Sequence, residues 1–265
     1  RCCRARRGAR MSTLFSLQDR VALVVGAAEG GLGGYAARAL HDAGATLALA
    51  DLPERAADLA TTAGACGGAT THEVDVRSAE SVQALVDGVL AEHGRIDVLV
   101  ACAGAMLRRE IEATDPDEWQ RIIDVNLTGT WLLDRAVLAP MRAQGYGRIV
   151  NFSTVYAERV GPIPESAYYA AKAGIANVTR AVASEAGRDG VTANCLAPAV
   201  FYPTRMTAPL ADVPERLEWF SARTMLGRLG DPATDLTGPL LLLASDAGSY
   251  LTGQILYVDG GWSAW

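Results

Sequence analysis

Short apolar runs rich in β-branched residues alternate along the chain with longer segments whose apolar residues recur at helical spacing. We predict that the seven apolar runs are β-strands at Val21–Gly26, Thr46–Asp51, Thr70–Asp75, Ile96–Cys102, Gly147–Ser153, Val191–Ala197 and Gln254–Asp259. Helical patterns between them include Gly33–Ala43, Ser78–His93, Asp117–Ala143 and Ala167–Gly187. Apolar strands that alternate with helices predict a parallel sheet covered on both faces. Right-handed crossovers then favour a seven-stranded, doubly wound α/β fold of the Rossmann type.

We predict one domain over residues 11–265, because no linker, internal repeat or low-complexity tract interrupts residues 14 to 261. The longest irregular stretch runs from Pro198 to about Arg216 and contains four prolines. Loops of this length are often functional in compact domains, so we expect a lid over about residues 198–226. No uninterrupted apolar run reaches 18 residues, and we therefore expect no membrane partner.

Charge is distributed unevenly along the chain. Residues 1–10 carry five arginines and no acidic residue. The remaining residues carry 19 basic and 30 acidic side chains, a formal net charge of −11, which disfavours nucleic acid as a partner. Since the first ten residues lack the apolar region of a secretory signal, we expect them to be a leader or upstream segment, with Met11 as the natural start. A nucleic-acid-binding tail is the alternative.

The cysteines and histidines do not indicate a metal site. Beyond residue 10 the cysteines are Cys66, Cys102 and Cys195, an odd number at wide spacing, as in a reduced cytoplasmic protein. Cys102 and Cys195 follow strand patterns and are expected to pack as small apolar groups. The three histidines are scattered singly, without the spacing of metal ligands.

A glycine-rich turn follows the first predicted strand and runs from Gly26 through Gly31, Leu32 and Gly33. Glycines at such a turn let backbone N–H groups approach a pyrophosphate at the positive end of the next helix. Asp51 ends the second strand, where a carboxylate can bind ribose hydroxyls and would repel a 2′-phosphate. These residues predict a dinucleotide site with a preference for NAD. A cap for the following helix is the alternative role of Asp51.

Further motifs follow this turn in a characteristic order. They are Asp75–Val76, Ala101-Cys102-Ala103-Gly104, Asn126 in V-N-L-T-G, Tyr168 and Lys172 in Y-Y-A-A-K, Pro198-Ala199, and the tail L-T-G-Q-I-L-Y-V-D-G-G. With these motifs the sequence resembles the short-chain dehydrogenase/reductase family from about residue 17 to 262. The lid and the C-terminal end are similar to its gluconate 5-dehydrogenase-like branch, with the 3-oxoacyl reductase-like proteins as close alternatives.

The sequence departs from the family pattern in two motifs. Four residues instead of three separate Gly26 from Gly31, so the turn is one residue longer if Gly31 and Gly33 are its partners. Pairing Gly26 with Gly30 is the alternative, and it would put Leu32 in the place of the last glycine. Both asparagines of the family's N-N-A-G motif are also missing.

The resemblance implies further contacts to the cofactor. By this resemblance Asp75 and Val76 lie at the adenine, Ala103 and Gly104 line the cofactor site, and Pro198 adjoins the nicotinamide. Lys172 would hold the nicotinamide ribose beside Tyr168. A homo-oligomer, a tetramer or a dimer, is expected on the same ground.

Tyr168 and Lys172 are four residues apart, so a helix places them on one face, whereas Tyr169 projects about 100° away. Lys172 is the single lysine beside 23 arginines, which indicates a chemical role for its ammonium group. A phenol has a pKa near 10, and a neighbouring positive charge is expected to lower it. We therefore predict that Tyr168 is the general acid and base and that Lys172 is its electrostatic partner.

The family resemblance completes this catalytic set. Thr154 aligns with the serine that holds the substrate oxygen, and the neighbouring Ser153 is the alternative. Asn126 would support a proton relay, with local backbone bonding as the alternative.

The predicted activity is NAD(H)-dependent interconversion of a secondary alcohol and a ketone. Arg205, Arg216 and Arg223 in the lid favour a hydroxy acid or sugar acid as substrate. A neutral alcohol, a 3-oxoacyl thioester, or a non-catalytic dinucleotide sensor or scaffold are the alternatives.

Overall fold

The computed structural model describes residues 11–264, so the arginine-rich segment lies outside the described residues. The strands are β1 (Val21–Val25), β2 (Thr46–Asp51), β3 (Thr70–Glu73), β4 (Val98–Ala101), β5 (Gly147–Phe152), β6 (Val191–Pro198) and β7 (Ile255–Val258). They form one seven-stranded sheet in the order β3-β2-β1-β4-β5-β6-β7, and every neighbouring pair is parallel. The predicted Rossmann-type fold is confirmed.

The helices of residues 11–264 are α1 (Met11–Leu14), α2 (Leu32–Asp42), α3 (Ala56–Ala65), α4 (Ala79–His93), α5 (Pro116–Ile123), α6 (Gly129–Gln144), α7 (Ser166–Ala186), α8 (Pro214–Ala222) and α9 (Thr237–Ala244). Helices α2, α3 and α9 cover one face of the sheet, and α4, α6 and α7 cover the other. No helix in this part of the chain combines the length and apolar character needed to cross a membrane.

Strand β1 shows why the sheet is apolar throughout. Ala22 and Val24 pack towards α2 and α9, whereas Leu23 and Val25 pack towards α4 and α6. All four side chains are buried, since successive residues of a strand point to opposite faces. A strand covered on both faces therefore has no polar alternation.

The long helix predicted over Asp117–Ala143 is interrupted. A π-helical turn, Asp124–Thr128, separates α5 from α6 and contains the buried Asn126. π turns insert one extra residue into the helical repeat and are frequent at functional sites. The prediction of one regular helix is therefore wrong at this point.

Two predicted boundaries also differ. Strand β3 ends at Glu73, so Asp75 and Val76 lie in the following loop rather than in the strand. The stretch predicted to be irregular contains a 3-10 turn, Ala208–Asp212, and the start of α8 at Pro214. The strand order reverses between β1 and β4, and their carboxyl ends open a crevice at which such folds bind ligands.

Candidate active site

A cavity of about 550 Å³ lies at the carboxyl ends of the central strands. The predicted site residues that line it are Gly26, Gly31, Leu32, Asp51, Asp75, Val76, Ala103, Gly104, Thr154, Tyr168, Lys172 and Pro198. Gly33 and Asn126 are not part of the lining, and Asn126 is fully buried behind it. Twelve of the fourteen predicted site residues thus line one cavity.

Close packing explains the glycines of the turn after β1. Gly26 has a φ of +84°, and a Cβ on it would lie 2.6 Å from the backbone nitrogen of Ala103. A Cβ on Gly33 would collide with the carbonyl oxygen of Gly26. Gly31 precedes α2 as its N-cap and lines the cavity. The position that packing reserves for the last glycine is therefore Gly33 and not Leu32.

Asp51 braces this turn from the end of β2. Its Oδ2 accepts a hydrogen bond from the Ala28 N–H at 2.8 Å, and its Oδ1 accepts one from the Leu52 N–H at 2.9 Å. The following 3-10 turn has no side-chain cap, so the capping role considered for Asp51 is absent. The carboxylate instead joins the glycine-rich turn to the cavity wall.

Tyr168 and Lys172 lie on the buried face of α7. The Lys172 Nζ donates to the Phe152 carbonyl at 2.8 Å and lies 5.6 Å from the centroid of the Tyr168 ring. Burial lowers the pKa of Lys172 to about 8. Burial also raises the pKa of Tyr168 above its ordinary value, so in the protein alone it outweighs the lowering expected from the lysine. The Tyr169 hydroxyl points elsewhere and donates to the Ile163 carbonyl at 2.6 Å.

The two hydroxyls after β5 have different partners. Ser153 Oγ donates to the Lys172 carbonyl at 3.0 Å, which ties the strand to α7. Thr154 Oγ1 donates to the Pro198 carbonyl at 3.2 Å, across the cavity edge formed by β6. Both residues are buried and line the cavity. Of these two residues, Thr154 is therefore the one whose hydroxyl lies beside Pro198.

Asn126 uses its amide on backbone groups. Its Nδ2 donates to the carbonyls of Ile122 at 2.9 Å and Ala105 at 2.8 Å, and its Oδ1 accepts from the Ala105 N–H at 3.3 Å. A Cβ on Gly104 would lie 3.0 Å from this Oδ1 and 3.9 Å from the Lys172 Nζ. Asn126 therefore ties the π turn to the loop after β4, directly behind Lys172.

Several lining residues were not predicted from the sequence. They are Arg55, Arg77, Cys102 and Arg121. Arg77 forks onto the Asp75 carboxylate, with Nη2 to Oδ2 at 2.6 Å, and this hydrogen bond lowers the pKa of Asp75. Burial raises the pKa of the Cys102 thiol to about 12, so the thiol stays protonated. An arginine carries no sequence signal that separates a cavity wall from open solvent, whereas Cys102 stands in the motif from which an asparagine is missing.

The lid contributes Thr204, Arg205, Met206 and Thr207 to the lining. The Arg205 guanidinium contacts the Glu29 carbonyl and lies 3.3 Å from Asp58 Oδ2. The structure thus places Arg205 against the glycine-rich turn, and the expectation that it binds a substrate carboxylate is not supported.

An aromatic cluster includes residues of both α7 and the lid helix α8. We give this name to Tyr156, Tyr169, Trp219, Phe220 and Trp262, whose neighbouring ring centroids lie 5.1 to 6.2 Å apart. After burial, Glu165 and Cys102, the neighbouring Tyr156 and Tyr169 also raise the pKa of Tyr168. These two members of the cluster therefore lie near the Tyr168 phenol.

The cysteines and acidic residues form no ion-binding group. Within residues 11–264 no set of three or more His, Cys, Asp or Glu side chains is arranged to hold a metal ion. Cys66, Cys102 and Cys195 are free thiols.

A doubly wound parallel sheet with a glycine-rich turn at its switch point defines a dinucleotide-binding α/β protein. A family model described as enoyl-(acyl carrier protein) reductase matches residues 26–263. The chain is 40% identical to cis-4-hydroxycyclohexanecarboxylate dehydrogenase of Sinomonas cyclohexanicum over 249 residues, which are 93% of this chain and 97% of that protein. It is 34% identical to cyclopentanol dehydrogenase of Comamonas testosteroni over 250 residues, 94% of this chain and 98% of that protein.

A solved structure of similar fold is gluconate 5-dehydrogenase from Burkholderia cenocepacia in complex with NADP and tartrate. It is 33% identical, has a TM-score of 0.90, and the match covers 97% of this chain and 100% of that one. The chain belongs to the short-chain dehydrogenase/reductase family. It is an oxidoreductase of CH–OH groups in a family that uses NAD(P).

Proposed function

We propose that the protein interconverts a secondary alcohol and a ketone with NAD(H), and that the alcohol is a hydroxy acid. The observation that carries this proposal is the juxtaposition of Tyr168, Lys172 and Thr154 on one wall of the cavity. A phenol, an ammonium and a hydroxyl at this edge can hold and protonate a carbonyl oxygen. The neighbouring glycine-rich turn and Asp51 provide the room and the hydrogen-bond acceptor that a dinucleotide needs.

Each catalytic residue has a distinct role in this proposal. Tyr168 donates a proton to the ketone oxygen in reduction and accepts one from the alcohol in oxidation. Thr154 holds the substrate oxygen, and Lys172 stabilises the ionised phenol from within the wall. Asn126 positions the loop after β4. The dinucleotide, when bound, supplies or accepts the hydride.

Residues at the carboxyl ends of several strands would hold the dinucleotide. Gly26, Gly31, Leu32 and Gly33 would receive the pyrophosphate at the start of α2, and Asp51 the adenosine ribose. Toward the two ends of the cofactor the contacts would come from Asp75, Val76, Ala103, Gly104 and Pro198. The position of Asp51 on the cavity wall supports NAD over NADP, because its carboxylate repels a 2′-phosphate.

Two observations support a hydroxy acid as the substrate. The aromatic cluster lies outside the residues that line the cavity, and the Arg223 guanidinium is 4.6 Å from the ring centroid of Trp219 within it; in this proposal the carbon skeleton extends from the cavity towards this cluster. The relative from Sinomonas is named for a hydroxylated cyclohexanecarboxylate, and the Burkholderia structure contains tartrate. A substrate whose ring or chain contacts the aromatic cluster, with its carboxylate near Arg223, is consistent with both observations.

The test compares matched substrates with and without a carboxylate, such as a hydroxycyclohexanecarboxylate and cyclohexanol. Turnover is followed by the absorbance of the reduced nicotinamide with NAD and with NADP. We expect a higher kcat/KM for the acid, a loss of that preference in Arg223→Ala, and no change in Arg188→Ala, an exposed arginine in the 3-10 turn Gly187–Asp189 after α7.

Each opposite outcome has a defined meaning. Equal kcat/KM for acid and neutral alcohol would contradict the hydroxy acid. Equal kcat/KM with both cofactors would contradict the NAD preference. Cofactor binding without turnover of any alcohol, ketone or 3-oxoacyl thioester would favour the sensor or scaffold.

We also propose that the protein works in the cytoplasm as a homo-oligomer. The free thiols support a reducing compartment, and Trp119 and Trp131 on α5 and α6 are 36% and 46% exposed in the single chain. Light scattering coupled to size-exclusion chromatography measures the oligomeric state, and a monomer at micromolar concentration would contradict the proposal.

A further inference from the structure

Arg205 joins the lid to the glycine-rich turn. Its backbone N–H donates to the Gly30 carbonyl at 2.7 Å. Its guanidinium donates to the Glu29 carbonyl and to Asp58 Oδ2, the latter at 3.3 Å. Glu29 and Gly30 belong to the stretch in which this turn is one residue longer than the family pattern. The lengthened turn thus provides the carbonyls that the lid binds.

The far side of this contact is anchored in α3. The Glu29 N–H donates to the Asp58 carbonyl at 3.2 Å, so the turn and the helix are already joined. Arg55 Nη1 lies 3.2 Å from the same Asp58 carboxylate oxygen. The Asp58 carboxylate therefore contacts two arginines, Arg55 just before α3 and Arg205 from the lid.

The lid presents Arg205 from a braced turn. Thr204 and Thr207 share a hydrogen bond between their hydroxyls at 2.8 Å, and Thr207 Oγ1 donates to the Phe201 carbonyl at 2.8 Å. The Ala208 N–H donates to the Thr204 carbonyl at 2.6 Å. Because this turn is held internally, little ordering is needed for Arg205 to reach its partners.

The side chains of this contact are partly solvated. Arg205 is 36% exposed and Asp58 is 44% exposed, so the ion pair can open without breaking the core. The two joined segments both line the same cavity, Ala28 and Gly31 from the turn and Thr204 and Met206 from the lid. When the contact opens, those segments can separate.

We propose that Arg205 is a positioning residue that latches the lid to the glycine-rich turn and sets the rate at which the dinucleotide leaves. This inference rests on the proposed dinucleotide-binding function. It assigns to Arg205 a role distinct from the substrate-carboxylate contact expected from the sequence. Release of the cofactor requires the contacts of Arg205 with Asp58, Glu29 and Gly30 to open.

The experiment measures NADH dissociation by stopped-flow fluorescence in the full-length protein. We expect Arg205→Ala to raise the dissociation rate by about fivefold, the range of a partly exposed ion pair with an added hydrogen bond. Asp58→Ala should raise the rate in the same direction, and Arg188→Ala should leave it unchanged. Thermal unfolding of each variant verifies folding, and Arg205→Gln provides a second variant of similar shape.

A double-mutant cycle separates a latch from direct binding of the cofactor phosphates. If Arg205 acts partly through Asp58, replacing it in an Asp58→Ala background raises the dissociation rate by a smaller factor than in the wild type, because only its contact with the Glu29 carbonyl is left to lose. Full additivity of the two substitutions, or wild-type dissociation in folded Arg205→Ala, would overturn the latch while leaving dinucleotide binding intact. Absence of any NADH or NADPH binding to the wild-type protein would overturn the proposed function and the latch together.

Discussion

Tyr168 is the side chain on which the proposed chemistry depends most directly. Tyr168→Phe keeps the buried ring and removes the hydroxyl, so we expect kcat to fall by at least about 100-fold while the Kd for NADH changes little. Steady-state kinetics and fluorescence titration measure the two quantities. Tyr169→Phe is the matched control, because its hydroxyl bonds the Ile163 carbonyl and not the cavity. If the control lost activity and Tyr168→Phe retained it, the catalytic tyrosine would be the wrong one.

The buried phenol also predicts opposite pH profiles for the two directions. Oxidation needs an ionised Tyr168, whose pKa is raised by burial, so kcat/KM for alcohol oxidation should increase as the pH rises. Reduction needs the proton in place, and burial keeps the phenol protonated beyond its ordinary pKa of about 10. We therefore expect kcat/KM for reduction to be level from about pH 6 and to fall only above about pH 10. Profiles with the same sign would contradict this assignment.

For single residues, the sequence predicted which side chains belong to the site better than it predicted the surroundings of each side chain. The spacing of Tyr168 and Lys172 predicted a shared helix face, and the structure places both on the cavity wall. The direction of the Tyr168 pKa could not be predicted, because burial depends on the packing of the whole site around it. Arg205 was expected near the substrate. Its contacts with Glu29 and Asp58 could not be predicted, because these partners are about 150 residues or more away in the sequence.

At the scale of elements, the turn between β1 and α2 depends on close packing. Gly33→Ala would drive a methyl group into the Gly26 carbonyl, so we expect loss of about 2 kcal/mol of unfolding free energy and weaker NADH binding. Gly64→Ala in α3 is the control, because nothing lies within 4 Å of its added Cβ. That control should gain up to about 1 kcal/mol in urea unfolding. Equal effects of the two substitutions would contradict the packing argument.

Strand positions could be predicted because each strand is buried on both faces and forms a continuous apolar run. The π turn at Asn126 could not be predicted, since its extra residue is stabilised by Ala105, which lies in a different loop. Helix α3 and the lid helix α8 were not among the helices named from the pattern. The start of α8 fell inside the stretch predicted to be irregular because of its prolines.

At the scale of the whole molecule, a polar group buried between α6, β5, α7 and β6 predicts how stability depends on pH. Asp134 is fully buried, receives one hydrogen bond from Asn151 at 2.9 Å, and leaves its Oδ1 without a partner among the described residues. Burial raises its pKa to about 7. Between about pH 4 and 7 the folded state therefore binds a proton that the unfolded state has lost, and stability falls as the pH rises.

The isosteric Asp134→Asn variant should remove this dependence. We expect it to be more stable than wild type by about 2 kcal/mol at pH 8, with the difference shrinking towards pH 5. Urea unfolding at several pH values measures the effect, and activity should persist because Asp134 lies outside the cavity. A difference that grew as the pH fell would contradict the assignment.

The single lysine has a consequence for chemical labelling. Amine-selective reagents can modify one side chain in this protein, Lys172, and that side chain lines the cavity. Because burial lowers its pKa to about 8, the nucleophilic free amine forms at a lower pH than for an exposed lysine. A small aldehyde followed by reduction would therefore tag the cavity at one position. A molecule bound in the cavity would protect Lys172 from the reagent. The fraction of the Lys172 peptide that carries the tag, measured by mass spectrometry, then reports occupancy of the cavity without a coloured product or knowledge of the substrate.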